Sequence, residues 1–95
     1  MIVDFDLFKT SLKVDFDDED ELIEELLEQA QAAAEDYTGC TWTEENAPGA
    51  VRAAVQLMAA FFYEKRENVE QDAYRQMRQA FNDLLWPHRA PDMVI

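Results

Sequence analysis

The stretch that decides the fold is residues 46–68, NAPGAVRAAVQLMAAFFYEKREN. Between Ala50 and Tyr63, only Arg52 and Gln56 are polar. Pro48 suits the first turn of a helix because its missing N–H group has no partner there to lose. A helix that is apolar nearly all round needs cover on two sides. The stretch therefore predicts a central helix over 48–66.

The opposite faces of this helix leave two interpretations open. One face carries Val51, Val55, Met58 and Phe62, and the opposite face carries Ala53, Leu57, Ala60 and Phe61. In the first interpretation, companion helices cover one face and the small alanines of the other meet solvent. In the second interpretation, another subunit covers the second face.

An amphipathic helix is predicted over residues 18–37. Its apolar positions fall within a sector of about 140° at 100° per residue, and glutamates occupy the remaining surface. Gly39 can adopt the left-handed conformation common just past a helix C-terminus, so we expect the helix to end near Thr38. The apolar sector consists of Leu22, Ile23, Leu26, Leu27, Ala30, Ala33, Ala34 and Tyr37.

Two more helices complete the predicted all-α fold. Apolar spacing favours a short helix over 5–12 and a longer one over 70–85, which Pro87 stops. Residues 90–95 are predicted to form an extended tail. A chain of 95 residues is expected to form one domain. We therefore expect a single domain, a small bundle of about four helices.

An acidic run precedes the 18–37 helix: six of the eight residues in VDFDDEDE, 14–21, are acidic. As a calcium loop begun at Asp15, it has Asp20 where the sharp turn needs glycine, and Leu26 where a bidentate glutamate closes the site. No metal site is expected.

A helix start explains the run better. With Asp17 or Asp18 as N-cap, Asp20 or Glu21 three residues later would complete a capping box. Helix capping needs only two or three of these acidic residues. The remaining ones could serve a function at the surface, and this possibility stays open. The predicted acidic surface comprises Asp15, Asp17, Asp18, Glu19, Asp20 and Glu21.

Charge divides the chain into two unlike halves. The net charge is -13, from 21 acidic and 8 basic residues. Residues 1–47 contain 15 acids and two lysines, whereas residues 48–95 contain six acids and six bases, including every arginine. The excess argues against binding to DNA phosphates or anionic membranes. The division suits head-to-side association of identical copies.

Chemical motifs are scarce. His88 is the only histidine and Cys40 the only cysteine, and no Ser-His-acid set, phosphate loop or zinc spacing occurs. We expect neither enzymatic activity nor a cofactor. With no internal disulfide, no signal peptide and no apolar run of about 20 residues, we expect a protein of the reducing cytoplasm that does not enter membranes.

A family resemblance rests on three segments in a fixed order: FKTSLKVDFDDEDELIEELLEQAQAAAEDYTG at 8–39, PGAVRAAVQLMAAFFYEKRENV at 48–69, and LLWPHR at 84–89. In order and spacing the chain resembles the small head-to-tail connector (adaptor) proteins of long-tailed bacteriophages. The resemblance implies a structural virion protein, a ring that docks under the portal, extends the DNA channel and provides the attachment site for stopper or tail proteins.

The resemblance also implies partners and a location. We expect a homo-oligomeric ring, a dodecamer matching the portal, built from a chain that is monomeric in isolation. The portal protein and a stopper or tail-completion protein are the expected partners, and DNA passes without specific binding. The location is the head-tail interface of the virion, and the bacterial host cytoplasm during assembly. The expected subunit or portal interface comprises Leu57, Phe61, Tyr63, Glu64, Arg66, Glu67, Trp86, Arg89, Met93, Val94 and Ile95.

The alternative is an acidic protein that imitates DNA and blocks a DNA-binding enzyme. Such a mimic would spread acid over its whole surface. Here the second half is neutral, and Arg66, Arg75 or Arg78 could meet the carboxylates of a neighbouring copy. This distribution favours the connector.

Overall fold

Four α-helices follow one another along the chain. The computed structural model describes residues 1–65 and 67–90, and within them no strand is present. The helices are α1 (Phe5–Ser11), α2 (Asp20–Thr38), α3 (Gly49–Glu64) and α4 (Gln71–Leu85), followed by a 3-10 turn over Trp86–His88. The predicted all-α class and its four helices are confirmed.

The central position of α3 is the main feature of the packing. α2 and α4 flank this helix and both pack extensively against it, whereas they touch each other at few points. Val51, Ala54, Val55 and Ala59 of α3 are completely buried. The all-round apolar character of α3 therefore has a direct cause, since two helices and the N-terminal segment cover different sides of it.

The second face of α3 is only partly covered within the chain. Ala53 and Gln56 are exposed, whereas Leu57, Ala60 and Phe61 are half-buried and pack against the core. The interpretation in which small alanines meet solvent thus holds for Ala53.

A single hydrophobic core joins all four helices and the first residues of the chain. Ile2, Val3 and Phe8 bring the N-terminal segment and α1 into it. Apart from Ile2, the largest fully buried side chains come from the flanking helices: Ile23, Leu27, Phe81 and Leu85. The predicted apolar sector of the 18–37 helix forms the buried face of α2 and its edges.

Helix ends differ slightly from the predicted bounds. α1 ends at Ser11 in a Schellman arrangement, in which Lys13 N–H bonds to Thr10 O and Val14 N–H bonds to Lys9 O. Lys13 adopts a left-handed φ of 62° there. α3 ends two residues earlier than predicted, and Pro48 is its N-cap rather than its first residue. Gly39 ends α2 with φ 73°, as predicted.

The predicted capping box at the start of α2 is wrong. The N-cap is Glu19, and no side chain caps this helix end. Asp17 and Asp20 instead turn toward Lys9 of α1, eight or more residues earlier in the chain. A full positive charge attracts these carboxylates more strongly than the partial charge of a helix end.

The chain folds back after α4. The Ala90 N–H donates to the Thr38 carbonyl at 2.7 Å, and the ring of Trp42 meets that of His88 edge to face. The start of the predicted tail is therefore fixed against the end of α2. The remaining tail residues, including Met93, Val94 and Ile95, lie outside the described residues.

Candidate interaction surfaces

The acidic segment before α2 is tied to α1 by one lysine. Lys9 Nζ lies 2.8 Å from an Asp17 oxygen and 2.7 Å from an Asp20 oxygen. The hydrogen bond to Asp17 is the main reason why the pKa of Lys9 is raised, and Asp20 adds to it. The same hydrogen bond lowers the pKa of Asp17. Two of the predicted surface carboxylates therefore hold the fold together locally.

A second tie joins this segment to α3. The Tyr63 hydroxyl donates to a Glu19 carboxylate oxygen at 2.6 Å. Tyr63 was expected at an interface with another molecule, and the structure gives it a partner within the chain. Asp15, Asp18 and Glu21 remain exposed. The predicted acidic surface is thus divided between structural and solvent-facing carboxylates.

The outer side of α2 carries acid and no base. Glu21, Glu24, Glu25 and Glu28 are all exposed and fall within a sector of about 100°, opposite the buried face. The helix contains no lysine, arginine or histidine. We call these four glutamates the acidic edge. Glu24, Glu25 and Glu28 were absent from the predicted acidic surface. The lack of any basic residue in α2 could have indicated them.

The outer side of α4 differs in charge. Arg75, Arg78, Asn82 and Trp86 fall within about 80° at 100° per residue, and Arg89 follows past the helix end. Arg75 and Trp86 are exposed, and the others are half-buried. We call these five residues the basic stripe. Of them, Trp86 and Arg89 belonged to the predicted interface, and Arg75 and Arg78 were among the arginines predicted to meet carboxylates of a neighbouring copy.

The C-terminal end of the basic stripe is an exposed aromatic residue stacked with a cation. Trp86 is 59% exposed, although it is one of the largest side chains. The Arg89 guanidinium carbon lies 3.6 Å from the centre of its ring. This stacking fixes both side chains at the surface. The structure therefore brings these two predicted residues together.

The end of α3 carries an aromatic cluster. Phe61 meets Phe62 edge to face at 5.4 Å between ring centres, and both rings contact Tyr74 of α4. Phe61 and Leu57 are half-buried, so each serves the core and still presents some surface. Glu64 and Glu67 are exposed nearby, and Arg66 lies outside the described residues.

Arg52 has a structural role that sequence reasoning missed. Its guanidinium donates to the carbonyl oxygens of Ile2, Glu44 and Ala47. One side chain therefore secures both the N-terminal segment and the loop before α3. In the sequence, Arg52 stands out as a single cation within an apolar helix. Its hydrogen-bond acceptors, however, are main-chain carbonyl groups, which no pattern of residues reveals.

Groups that could support chemistry are few. Cys40 Sγ lies 3.9 Å from the carbonyl oxygen of His88, but the histidine ring faces Trp42. In the described part of the chain, no three His, Cys, Asp or Glu residues are placed to hold a metal ion. Over the same residues, no helix combines the length and apolarity needed to cross a membrane.

An all-α bundle with one acidic edge and one basic stripe has the surfaces of a small protein–protein interaction module. Comparison with known proteins identifies the module. The family model described as phage gp6-like head-tail connector protein matches residues 3–89, and the chain belongs to that family. No curated protein and no solved structure matches the chain.

Membership of this family establishes the general function of the protein. The protein is a structural connector of the bacteriophage virion, from a family of structural proteins rather than enzymes. It is located in the virion and associates there with portal and tail proteins.

Proposed function

We propose that this chain is a ring-forming head-to-tail adaptor. In this proposal the ring docks under the portal, extends the DNA channel and provides the attachment site for a stopper or tail-completion protein. The observation that carries the proposal is the family match over residues 3–89, nearly the whole chain.

The assembly is proposed to be a dodecamer that matches the portal. The free chain is monomeric in the host cytoplasm and closes into a ring when the portal acts as template. This order suits a protein of net charge -13, because self-repulsion keeps free copies apart until a template raises their local concentration.

The exposed carboxylates suit a passage for DNA. Asp15 and Asp18 face solvent, beside carboxylates already engaged by Lys9 and Tyr63. A wall of like charge repels DNA phosphates and so lets the duplex slide without binding. We propose that this segment faces the channel.

The contact residues are proposed from the same surfaces. Exposed Trp86 with Arg89, and the half-buried Leu57 and Phe61, are apolar or aromatic groups that a neighbour could cover. Glu64 and Glu67 are exposed just after the half-buried aromatic residues of α3, and Tyr63 acts through its bond to Glu19. Arg66, Met93, Val94 and Ile95 keep their proposed interface role, although they lie outside the described residues.

A DNA mimic is less well supported. Imitation of DNA requires carboxylates over the binding surface, whereas α4 presents Arg75 to solvent and stacks Arg89 on an exposed ring. Both features suit a protein that pairs with acidic copies of itself.

Electron microscopy with the purified portal of the same phage tests the proposed function. The expected result is an added ring of density beneath the portal, with twelve-fold symmetry and a continuous channel. A portal that remains unchanged at saturating concentrations of the chain would contradict the proposal. Inhibition of a DNA-binding enzyme by the free chain would favour the mimic.

A further inference from the structure

The acidic edge and the α4 part of the basic stripe, Arg75 to Asn82, match in length as well as in sign. Glu21 and Glu28 lie seven positions apart in α2, and Arg75 and Asn82 lie seven positions apart in α4. At 1.5 Å per residue each covers about 10 Å. Two helices laid side by side could therefore align the acidic edge with this part of the stripe, and Trp86 and Arg89 would lie beyond it.

The two surfaces cannot meet within one chain. α2 and α4 flank α3, and they touch each other at few points. The described ion pair of Arg75 is with Asp72, at 3.5 Å, and both side chains are largely exposed. Exposed pairs of this kind are weak, so Arg75 can exchange its partner for carboxylates of another molecule.

The carboxylates of α4 leave the stripe accessible. Asp83 lies on a different side of the helix, where it accepts a hydrogen bond from Gln79 at 2.9 Å. Arg78 lies against the Phe81 ring, with its guanidinium carbon 4.9 Å from the ring centre. Arg78 is thus a fixed cation, which loses little freedom on binding.

We propose that the basic stripe of one copy docks on the acidic edge of the next copy. This inference rests on the proposed function, because it names the surfaces that meet between neighbours in the ring. The occupant is a second copy, since the edge and the stripe are complementary in charge, the edge matches the α4 part of the stripe in length, and the two lie on separate helices. Such a contact is heterologous, so it repeats from copy to copy and can close into a ring.

Trp86 supplies the apolar anchor of this contact. Aromatic and arginine side chains contribute most of the binding energy in typical interfaces, particularly where neighbouring groups exclude water. The stacked Trp86 and Arg89 present both groups together at one end of the stripe. Charge selects the partner and its register, and burial of the indole slows dissociation.

Paired charge reversals test the contact. The double variant Arg75→Glu/Arg78→Glu makes both surfaces acidic, and Glu24→Lys/Glu28→Lys makes both basic. Neither variant should associate with itself. An equimolar mixture should associate, because the reversed stripe of one fits the reversed edge of the other, and the unchanged surfaces also fit each other. The assembly would then alternate between the two variants.

Sedimentation velocity of the free chains at about 0.15 M salt, up to on the order of 1 mM protein, measures this association, because salt screens the net repulsion and the high concentration replaces the portal template. We expect wild type and the mixture to associate, with roughly tenfold or greater loss for each variant alone. Matched controls with the same total charge change are Lys13→Glu/Lys65→Glu and Glu44→Lys/Glu45→Lys, all at exposed positions. These controls should associate like wild type, and circular dichroism should show native helix content throughout.

Three results would overturn the inference. In the first, the stripe variant or the edge variant associates with itself as strongly as wild type does. In the second, wild type associates but the mixture of the two variants does not. In the third, both wild type and the mixture remain monomeric. A stripe variant that assembles normally but loses affinity for duplex DNA would assign the stripe to DNA instead. Failure of the proposed function has a different signature, because it appears as wild-type protein that does not bind the portal.

Discussion

α2 and α4 have the same packing role but opposite outer surfaces. Each flanks α3 and buries large apolar side chains against it, Leu27 in one case and Phe81 in the other. Outward, α2 presents only acid among its charged residues, whereas α4 presents Arg75 and Arg78. The core requires similar inner faces from both helices and does not determine the outer ones. The difference between the outer faces is therefore where we locate function.

The largest expected effect concerns the shared packing role. Leu27→Ala and Phe81→Ala should each lower the free energy of unfolding by about 2–5 kcal/mol, because both side chains are fully buried. Urea unfolding followed by circular dichroism measures the change. Leu7→Ala is the control, since Leu7 is 72% exposed and should change stability by less than about 0.5 kcal/mol. A mild effect in α4 alone would show that the two helices do not contribute equally.

The second-largest expected effect concerns Arg52, which holds the N-terminal segment and the loop before α3 in place. Arg52→Met keeps the aliphatic stem but removes the donors to three carbonyl groups, so we expect a loss of about 1–3 kcal/mol. Faster amide exchange at Val3 and in the 44–47 loop should accompany it. Arg75→Met, at an exposed site, is the matched control and should be nearly neutral. Equal effects of both substitutions would show that Arg52 holds nothing specifically.

The tie between α1 and the start of α2 should depend on pH. The pKa of Asp17 is lowered in the folded chain, so its contribution is present above the ordinary value of 3.8 and is lost as pH falls through the folded value. The pKa of Lys9 is raised, so its contribution is present below 10.5 and is lost as pH rises through the folded value. The stability difference between wild type and Lys9→Met should therefore be greatest between about pH 4 and 10 and shrink outside that window.

Denaturant unfolding across this pH range measures the difference directly. Lys13→Met is the control, because it removes the same charge from an exposed position. If both variants followed the same pH profile, general repulsion among carboxylates would explain the data and the tie to Asp17 would have no role.

The smallest expected effect is a gain. Lys13 has a left-handed φ of 62° at the end of α1, which favours glycine over any residue with a Cβ atom. Lys13→Gly should raise stability by about 0.5 kcal/mol, the relief of strain being partly offset by the entropy of glycine in the unfolded chain. Lys13→Ala removes the same charge without relieving strain. Thermal unfolding should place the glycine variant above the alanine variant, and the reverse order would refute this explanation.

The sequence predicts the helices well and their side-chain partners poorly. Hydrophobic periodicity and helix-ending residues such as Gly39 are local features of the sequence. Both ends of α2 therefore lie within two residues of their predicted positions. The capping box failed because Lys9, distant in sequence, attracts the carboxylates that would have capped the helix. The acceptors of Arg52 and the bond between Ala90 and Thr38 also join distant segments. Such contacts depend on the packed fold, which local patterns do not specify.

The candidate interaction surfaces also combine features that the sequence predicts with features that depend on the packed fold. Trp86 and Arg89 could be predicted as surface residues because Trp86 falls outside the apolar face of its helix, and the structure then shows them stacked. The acidic edge and the basic stripe required knowledge that α2 and α4 flank one central helix. Charge counts by halves indicated two unlike regions, but not which helix faces would carry them.

Cross-linking on the portal tests most directly whether the basic stripe meets the acidic edge of the next copy. The chain carries Glu28→Cys and Arg78→Cys in a Cys40→Ala background, and a short bis-maleimide reagent links thiols that lie close together. We predict a ladder of covalent multimers that ends at the number of copies in the ring, with each single-cysteine variant giving none. Chains that bind the portal but yield no multimers would contradict the proposed contact between neighbours.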